Sequence, residues 1–187
     1  MNEDWKKTIK VVPEFKLFRN YWLNNFESKK YIKETVNITV IDRKKNRIIK
    51  NIDELISLVD REKYEINIVQ LELYTFEEQL NIIVNTDILL GFHGGGLAWL
   101  LFLPIGAKVI EILPIMTQFK DNRYYDVPYQ FHNACKWCNI SYFSAISDNE
   151  TAAWDGLVNY LRPVDYKDEH NISTKDINKI MDFIKYK

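Results

Sequence analysis

Apolar positions along this chain follow two periods that take turns. From Phe15 to Phe26 (FKLFRNYWLNNF) apolar and aromatic residues recur at helical spacing, which predicts a helix. Val36 to Ile41 (VNITVI) reads as a strand, Arg43 to Lys50 (RKKNRIIK) as a basic loop, and Asn51 to Val59 (NIDELISLV) as a helix with Asn51 or Asp53 as candidate cap. Ile66 to Leu71 is a second predicted strand. Thr75 then opens a helix running to about Asn85, because TFEEQ places a capping hydroxyl ahead of acids in the first turn. Asp87 to Gly91 is a third strand, Leu97 to Leu103 a short apolar helix and Ala107 to Leu113 a fourth strand. Further on, Arg123 to Cys138 is expected to be helical, Ile140 to Phe143 a short strand, and Thr174 to Tyr186 a closing helix.

Strand and helix alternate from Val36 to Leu113. That order predicts an α/β protein with a Rossmann-like parallel sheet covered by helices on both faces. Residues 1–35 read as an N-terminal segment with a linker helix, and residues 36–187 as the sheet-bearing lobe. In such sheets ligands sit outside the carboxyl ends of the strands. Two predicted loops leave such ends with suitable chemistry: the basic loop after Ile41 and the glycine turn after Leu90. If their strands are parallel neighbours, Arg43, Arg47 and the amides of residues 94–96 face one crevice, which suits a phosphate. Taken alone, the basic loop reads as an ordinary solvated charge run.

The turn itself reads FHGGGL. Gly94, Gly95 and Gly96 carry no Cβ, so a ligand can approach the backbone, and a strand that passes through glycine into a helix start aims N–H groups at an anion. The same glycines would also serve a turn that only packs a helix onto a sheet. Several motifs are excluded. A phosphate-binding P-loop needs Gly-Lys-Ser/Thr, and Leu97 and Ala98 follow here. A dinucleotide fingerprint needs a third glycine where Trp99 stands. The oxyanion loop of some esterases needs a Gly-x-Ser-x-Gly elbow downstream, and after Gly96 only Gly106 and Gly156 remain. No Asp-x-Asp suggests a metal–nucleotide site.

At 187 residues, 47% hydrophobic and 14% aromatic, the chain has ample material for one core. A net charge of −1 gives no electrostatic case for nucleic acid or a membrane surface. No apolar run is long enough to span a bilayer, and MNEDWKKTIK is charged and lacks the apolar core of a signal peptide. Cys135 and Cys138 lack the second pair that a zinc site needs, and read as two small buried residues sharing a helix face. Sequons occur at Asn37, Asn139, Asn149 and Asn171, a weak sign of a secretory lumen; Asn37, inside a predicted strand, is a poor acceptor.

Four segments in order resemble the C-terminal lobe of family 61 glycosyltransferases, which are enzymes of GT-B type. Ile38 to Ile56 resembles the family's strand, Arg-Lys, Arg and Asn-x-x-Glu-Leu pattern. Thr75 to Leu80 resembles its Phe-x-x-Gln helix start, Asp87 to Leu97 its His-Gly-x-Gly-Leu signature, and Phe102 to Pro114 its Phe-Leu-Pro, Gly-Ala and strand-Glu run. The resemblance implies the nucleotide-sugar-binding lobe of an inverting, metal-independent transferase. Its donor would be a UDP-sugar and its acceptor a hydroxyl on a glycan or glycoprotein. No further cofactor is implied.

By the same resemblance, Arg43 and Arg47 are diphosphate contacts, and Gly94, Gly95, Gly96 and Leu97 supply amides. His93 donates to a phosphate or the sugar, or is a structural histidine. Glu111 accepts ribose hydroxyls, or is a buried glutamate paired with a lysine. The catalytic base is unassigned; Asp121, Asp126 and Glu111 are the first to test. Where most members carry threonine and a polar residue, this chain has Ala98 and Trp99, which leaves the donor sugar open and allows a bulky ring in the donor pocket. The resemblance also implies that an acceptor lobe is absent from these residues. A nucleotide- or sugar-binding module without transfer is the alternative. The expected compartment is the Golgi or ER lumen for part of a longer eukaryotic protein, and otherwise the cytoplasm.

Overall fold

The computed structural model describes residues 12–25, 34–45, 47–113, 130–147 and 169–185. Helix α1 (Pro13–Asn25) precedes β1 (Val36–Ile41), β2 (Ile48–Ile49), α2 (Ile52–Ser57), β3 (Tyr64–Val69), α3 (Phe76–Val84) and β4 (Ile88–Phe92). Strand β5 (Lys108–Leu113), α4 (Gln130–Cys138), β6 (Ser141–Ile146), β7 (Glu169–His170) and α5 (Thr174–Lys185) follow. Two 3₁₀ segments, Leu71–Leu73 and Gly95–Phe102, lie between.

Five strands form one sheet in the order β3-β1-β4-β5-β6, and every neighbouring pair is parallel. The chain lays β3 on one side of β1, then crosses to place β4, β5 and β6 on the other. The winding direction therefore reverses between β1 and β4, where ligands of doubly wound sheets bind. The condition set by the sequence is met: β1 and β4 are parallel neighbours, with Ile41 opposite Gly91.

Covering both faces explains the unbroken apolar runs of the central strands. All five residues of β4 are buried. Ile38, Val40, Ile88, Leu90, Phe92, Ile110 and Ile112 meet Leu55 of α2 and Ile177, Ile180, Met181 and Ile184 of α5. On the other face Ile41, Leu89 and Val109 meet Ile83 of α3, the leucines of the longer 3₁₀ helix, and Phe131 and Cys135 of α4. Helix α1 lies outside that layer: Phe15 stacks on Trp137 at 5.3 Å and the Arg19 Nη1 donates to the Leu103 carbonyl at 2.7 Å.

The structure departs from the sequence reading in several places. The apolar segment after the glycines is a 3₁₀ helix, Gly95–Phe102, where a short helix was expected over Leu97–Leu103. Its leucines explain the winding. Leu97, Leu100 and Leu103 are three apart and fully buried, and a three-residue turn stacks i and i+3 in one row against the sheet. Strand β3 begins at Tyr64, and Leu71 belongs to a 3₁₀ turn; as an edge strand β3 tolerates Glu65 and Asn67, which a purely apolar window leaves out. Strand β6 extends to Ile146, beyond the expected Phe143. Helix α4 is described from Gln130; the expected start at Arg123 lies outside the described residues. Strands β2 and β7 form a separate two-stranded parallel sheet that was not expected.

Thr75 caps α3 as its sequence suggests. The Glu78 amide donates to its hydroxyl at 3.3 Å, and its own amide donates to the Glu78 carboxylate at 2.8 Å. Thr75→Ala is expected to cost about 1 kcal/mol, read as a lower urea midpoint at unchanged slope.

Candidate functional site

The crevice at the carboxyl ends of β1 and β4 is built by the two loops that leave them. The loop after β1 carries Arg43 and Arg47, the latter in a left-handed backbone conformation at φ 55°. The Arg47 Nη1 donates to the His93 carbonyl at 2.6 Å, tying this loop to the turn after β4. At Gly94, φ is 148°, a conformation that side chains rarely adopt. A Cβ built there would lie 2.6 Å from the Arg47 Nη1 and 2.8 Å from the Arg43 Nη1. Both guanidinium groups thus close over the bare Cα of one glycine. Lys44 instead joins Asp42 in an exposed ion pair at 2.7 Å, and Lys45 is exposed.

The three glycines have different surroundings. Gly95 is exposed, and a Cβ there would meet nothing within 4 Å. A Cβ on Gly96 would touch Ile41 at 3.4 Å, so that glycine seats the helix on β1. The Leu97 amide donates to the Gly94 carbonyl at 2.9 Å and closes the first turn, while the Leu97 side chain is fully buried. The expectation that Leu97 offers its amide to a ligand is therefore corrected: that donor is used within the turn. Gly95 and Gly96 occupy the first positions of the 3₁₀ helix, where amides have no partner in the helix ladder.

His93 continues the β4 ladder, its amide donating to the Ile112 carbonyl at 2.8 Å. Side chains alternate along strands, so His93 falls on the same face as Glu111 of β5, and Glu111 on the same face as Tyr142 of β6. The His93 Nδ1 is hydrogen-bonded to the Glu111 Oε1, and the Tyr142 hydroxyl donates to the Glu111 Oε2 at 2.5 Å. Glu111 is 0% exposed. Both of its oxygens are held by protein groups, and its partner is a histidine rather than a lysine. Its immediate task here is to fix the His93 ring, whose edge also meets Phe131 at a centroid distance of 5.5 Å. Burial, with the Glu111 carboxylate beside it, pushes the Tyr142 hydroxyl up, so the phenol stays protonated and donating. The sequence singles out His93 and Glu111 as candidates but not Tyr142; the strand alternation carries the signal once the β5–β6 register is known.

Other candidate features lie elsewhere. Trp99 packs against Phe76 at 5.3 Å and Phe102 at 5.4 Å, so its ring belongs to the aromatic layer beneath α1. A cavity of about 200 Å³, lined by Phe15, Arg19, Ile105 and Trp137 among others, lies near the amino ends of β5 and β6, away from the crevice. Cys135 is buried and Cys138 half-buried, and burial pushes both thiols up. Asn37 is buried in β1, its side chain donating to the Asn85 carbonyl at 2.7 Å, whereas Asn139 and Asn171 are exposed. Asn149, Asp121 and Asp126 lie outside the described residues. No helix among the described residues is long and apolar enough to cross a membrane.

The family described as Glycosyltransferase 61 matches residues 5–110. The chain is 42% identical over 81 residues to an EGF domain-specific O-linked N-acetylglucosamine transferase of Drosophila melanogaster, covering 42% of this chain and 16% of that protein. It is 37% identical over 78 residues to the protein O-linked-mannose beta-1,4-N-acetylglucosaminyltransferase 2 of Homo sapiens, covering 41% and 13%. It is 28% identical over 78 residues to the alpha-1,3-arabinosyltransferase XAT2 of Oryza sativa subsp. japonica, again covering 41% and 13%. The matched stretch thus spans 13–16% of the length of these relatives.

Tyr142→Phe leaves one oxygen of a fully buried carboxylate without its donor. It is expected to destabilise the chain by about 1.5–3 kcal/mol, the range for a hydrogen bond to a charged group, read from urea unfolding followed by tryptophan fluorescence.

Proposed function

The chain belongs to glycosyltransferase family 61, and on that premise we propose that it is the donor-binding lobe of a GT-B glycosyltransferase. It holds the diphosphate of a nucleotide sugar in the crevice between β1 and β4. The observation that carries this reading is the closure of the Arg43 and Arg47 guanidinium groups over Gly94, at the point where the sheet order reverses.

A sugar leaving a nucleotide donor leaves negative charge on the diphosphate. Two guanidinium groups and the amides of Gly95 and Gly96 are positioned donors that stabilise this charge without a metal ion. Gly95 opens onto free space on the ligand side. His93, its Nδ1 held by Glu111, is in this reading the donor to a phosphate or the sugar. Glu111 acts through His93 rather than on the ribose.

Single-displacement transfer with inversion further needs a base beside the acceptor hydroxyl and a cleft poor in water. We assign no base among the described residues. The donor is a UDP-sugar in this reading, and the acceptor a hydroxyl on a glycan or glycoprotein. The second reading, a nucleotide-sugar-binding module without transfer, is favoured by Ala98, exposed at the start of the 3₁₀ helix with no hydroxyl to offer. Turnover of a bound donor onto an added acceptor separates the two.

Titration calorimetry of the chain with UDP in the presence of chelator is expected to give binding. No heat with UDP, GDP or ADP at millimolar ligand overturns the reading. Arg43→Ala and Arg47→Ala are each expected to weaken UDP binding by about 1.5–3 kcal/mol, and Lys44→Ala by clearly less, because its ammonium is exposed and paired with Asp42. Gly95→Val is expected to abolish UDP binding without lowering the melting temperature, since a side chain there meets no protein atom; unfolding would make that glycine structural.

A further inference from the structure

We propose that the short strand and turn at residues 169–172 are a clamp that holds Arg47 in its diphosphate-binding pose, with Asn51 as the positioning residue. The inference rests on the donor-site reading above and adds a part of the chain that lies beyond residues 5–110, the stretch matched by the family.

Arg47 occupies a left-handed conformation, at φ 55°, that is strained for a non-glycine residue. Such a residue relaxes unless the chain on either side is held. On its carboxyl side the chain enters β2 at once, and β2 pairs with β7 through Ile48 with Glu169 and Ile49 with His170. The Lys50 amide donates to the His170 carbonyl at 2.8 Å. Asn51 completes the pairing. Its Nδ2 donates to the Ile172 carbonyl and its Oδ1 accepts from the Ile172 amide, each at 2.8 Å.

Asn51 occupies the N-cap position of α2, where asparagine ordinarily satisfies a first-turn amide. Here it makes no side-chain cap bond. The carboxamide makes two bonds to the backbone of residue 172, at 121 residues' separation, and its Nδ2 also donates to the Glu54 carboxylate at 3.1 Å. A side chain at the N-cap that caps no first-turn amide yet makes two bonds to a distant backbone serves the long-range contact.

The clamp is itself fixed to the other edges of the crevice. The His170 ring lies on Phe92, the last residue of β4, at a centroid distance of 4.3 Å. The His170 Nδ1 is 3.2 Å from the Ser147 hydroxyl just after β6, and Ser147 and Ile172 form an antiparallel bridge. Ile172 is buried in the core. Helix α5 continues from the clamp, and the Lys108 Nζ donates to its last carbonyls, those of Phe183 and Ile184, at 2.8 and 3.0 Å. One segment therefore ties together the chain after β1, the end of β4 beside His93, and the chain after β6.

The test is a double-mutant cycle on the full chain, with UDP affinity as readout. Asn51→Ala is expected to weaken UDP about tenfold in the wild-type background and less than about twofold in the Arg47→Ala background, because a residue that acts only through Arg47 has nothing left to position. Equal losses in both backgrounds, or no loss in the wild type, overturn the proposal. Should Asn51→Ala not fold, Asn51→Asp, which keeps acceptance from the Ile172 amide and loses donation to its carbonyl, takes its place in the same cycle. A second readout needs no ligand: relaxation of the Arg47 side-chain Nε–H is expected to show greater mobility in the Asn51 variant, and unchanged mobility overturns the clamp. If Arg47→Ala alone leaves UDP binding intact, the donor-site reading falls, and the clamp is then decided by this mobility measurement.

Discussion

The parallel pairing of β1 with β4 is the constraint on which the rest of the molecule depends. It places Ile41 opposite Gly91, and so brings the loop after one strand beside the turn after the other. Gly91 makes the pairing tight, since a Cβ there would meet Ile41 and Leu97 at 3.3 Å. With that contact set, Gly96 rests on Ile41, the 3₁₀ helix starts where it must, and its row of leucines closes one layer of the core. A methyl group at residue 91 would press on both the strand and the helix, and each would have to give by a fraction of an ångström.

A second constraint is the burial of Glu111. A carboxylate removed from water is costly unless its oxygens are satisfied. Here one oxygen belongs to His93 and the other to Tyr142. The group cannot turn to another partner without leaving one of these open, so the histidine is held as firmly as the strands are. The rigidity at the mouth of the crevice thus comes from a polar chain laid across three neighbouring strands, not from the glycine turn, which by itself is permissive.

Much of this was legible in the sequence, for physical reasons that differ by element. Strand β1 and the Thr75 cap were read correctly because both are local: a run of β-branched residues broken only by Asn37, and a hydroxyl three residues ahead of an acid. The crevice was legible because sheet rules convert strand order into proximity. The two-residue strands β2 and β7 were not, because two residues carry no period, and their pairing is a contact between distant parts of the chain. The 3₁₀ winding was hidden because leucines three apart suit an α-helix almost as well; burial of all three at one surface decides it. Asn51 and Asp53 are both cap candidates by position, and only the structure reveals that Asn51 stands at the N-cap with its side chain turned to residue 172. The trio His93, Glu111 and Tyr142 needed the β5–β6 register, which no local pattern supplies.

The bond between Asn51 and Ile172 has a consequence for the order of assembly. It closes a loop of more than a hundred residues, and such closures are slow because chain entropy is lost before any contact rewards it. Four strands of the sheet, β1, β3, β4 and β5, lie within residues 36–113, and they can pair as soon as that stretch has left the ribosome. The small sheet of β2 and β7 must wait for residues 169–172. A nascent chain therefore carries four strands able to pair and an unfinished rim until residues 169–172 emerge, and anything that recognises the finished rim can engage only after that.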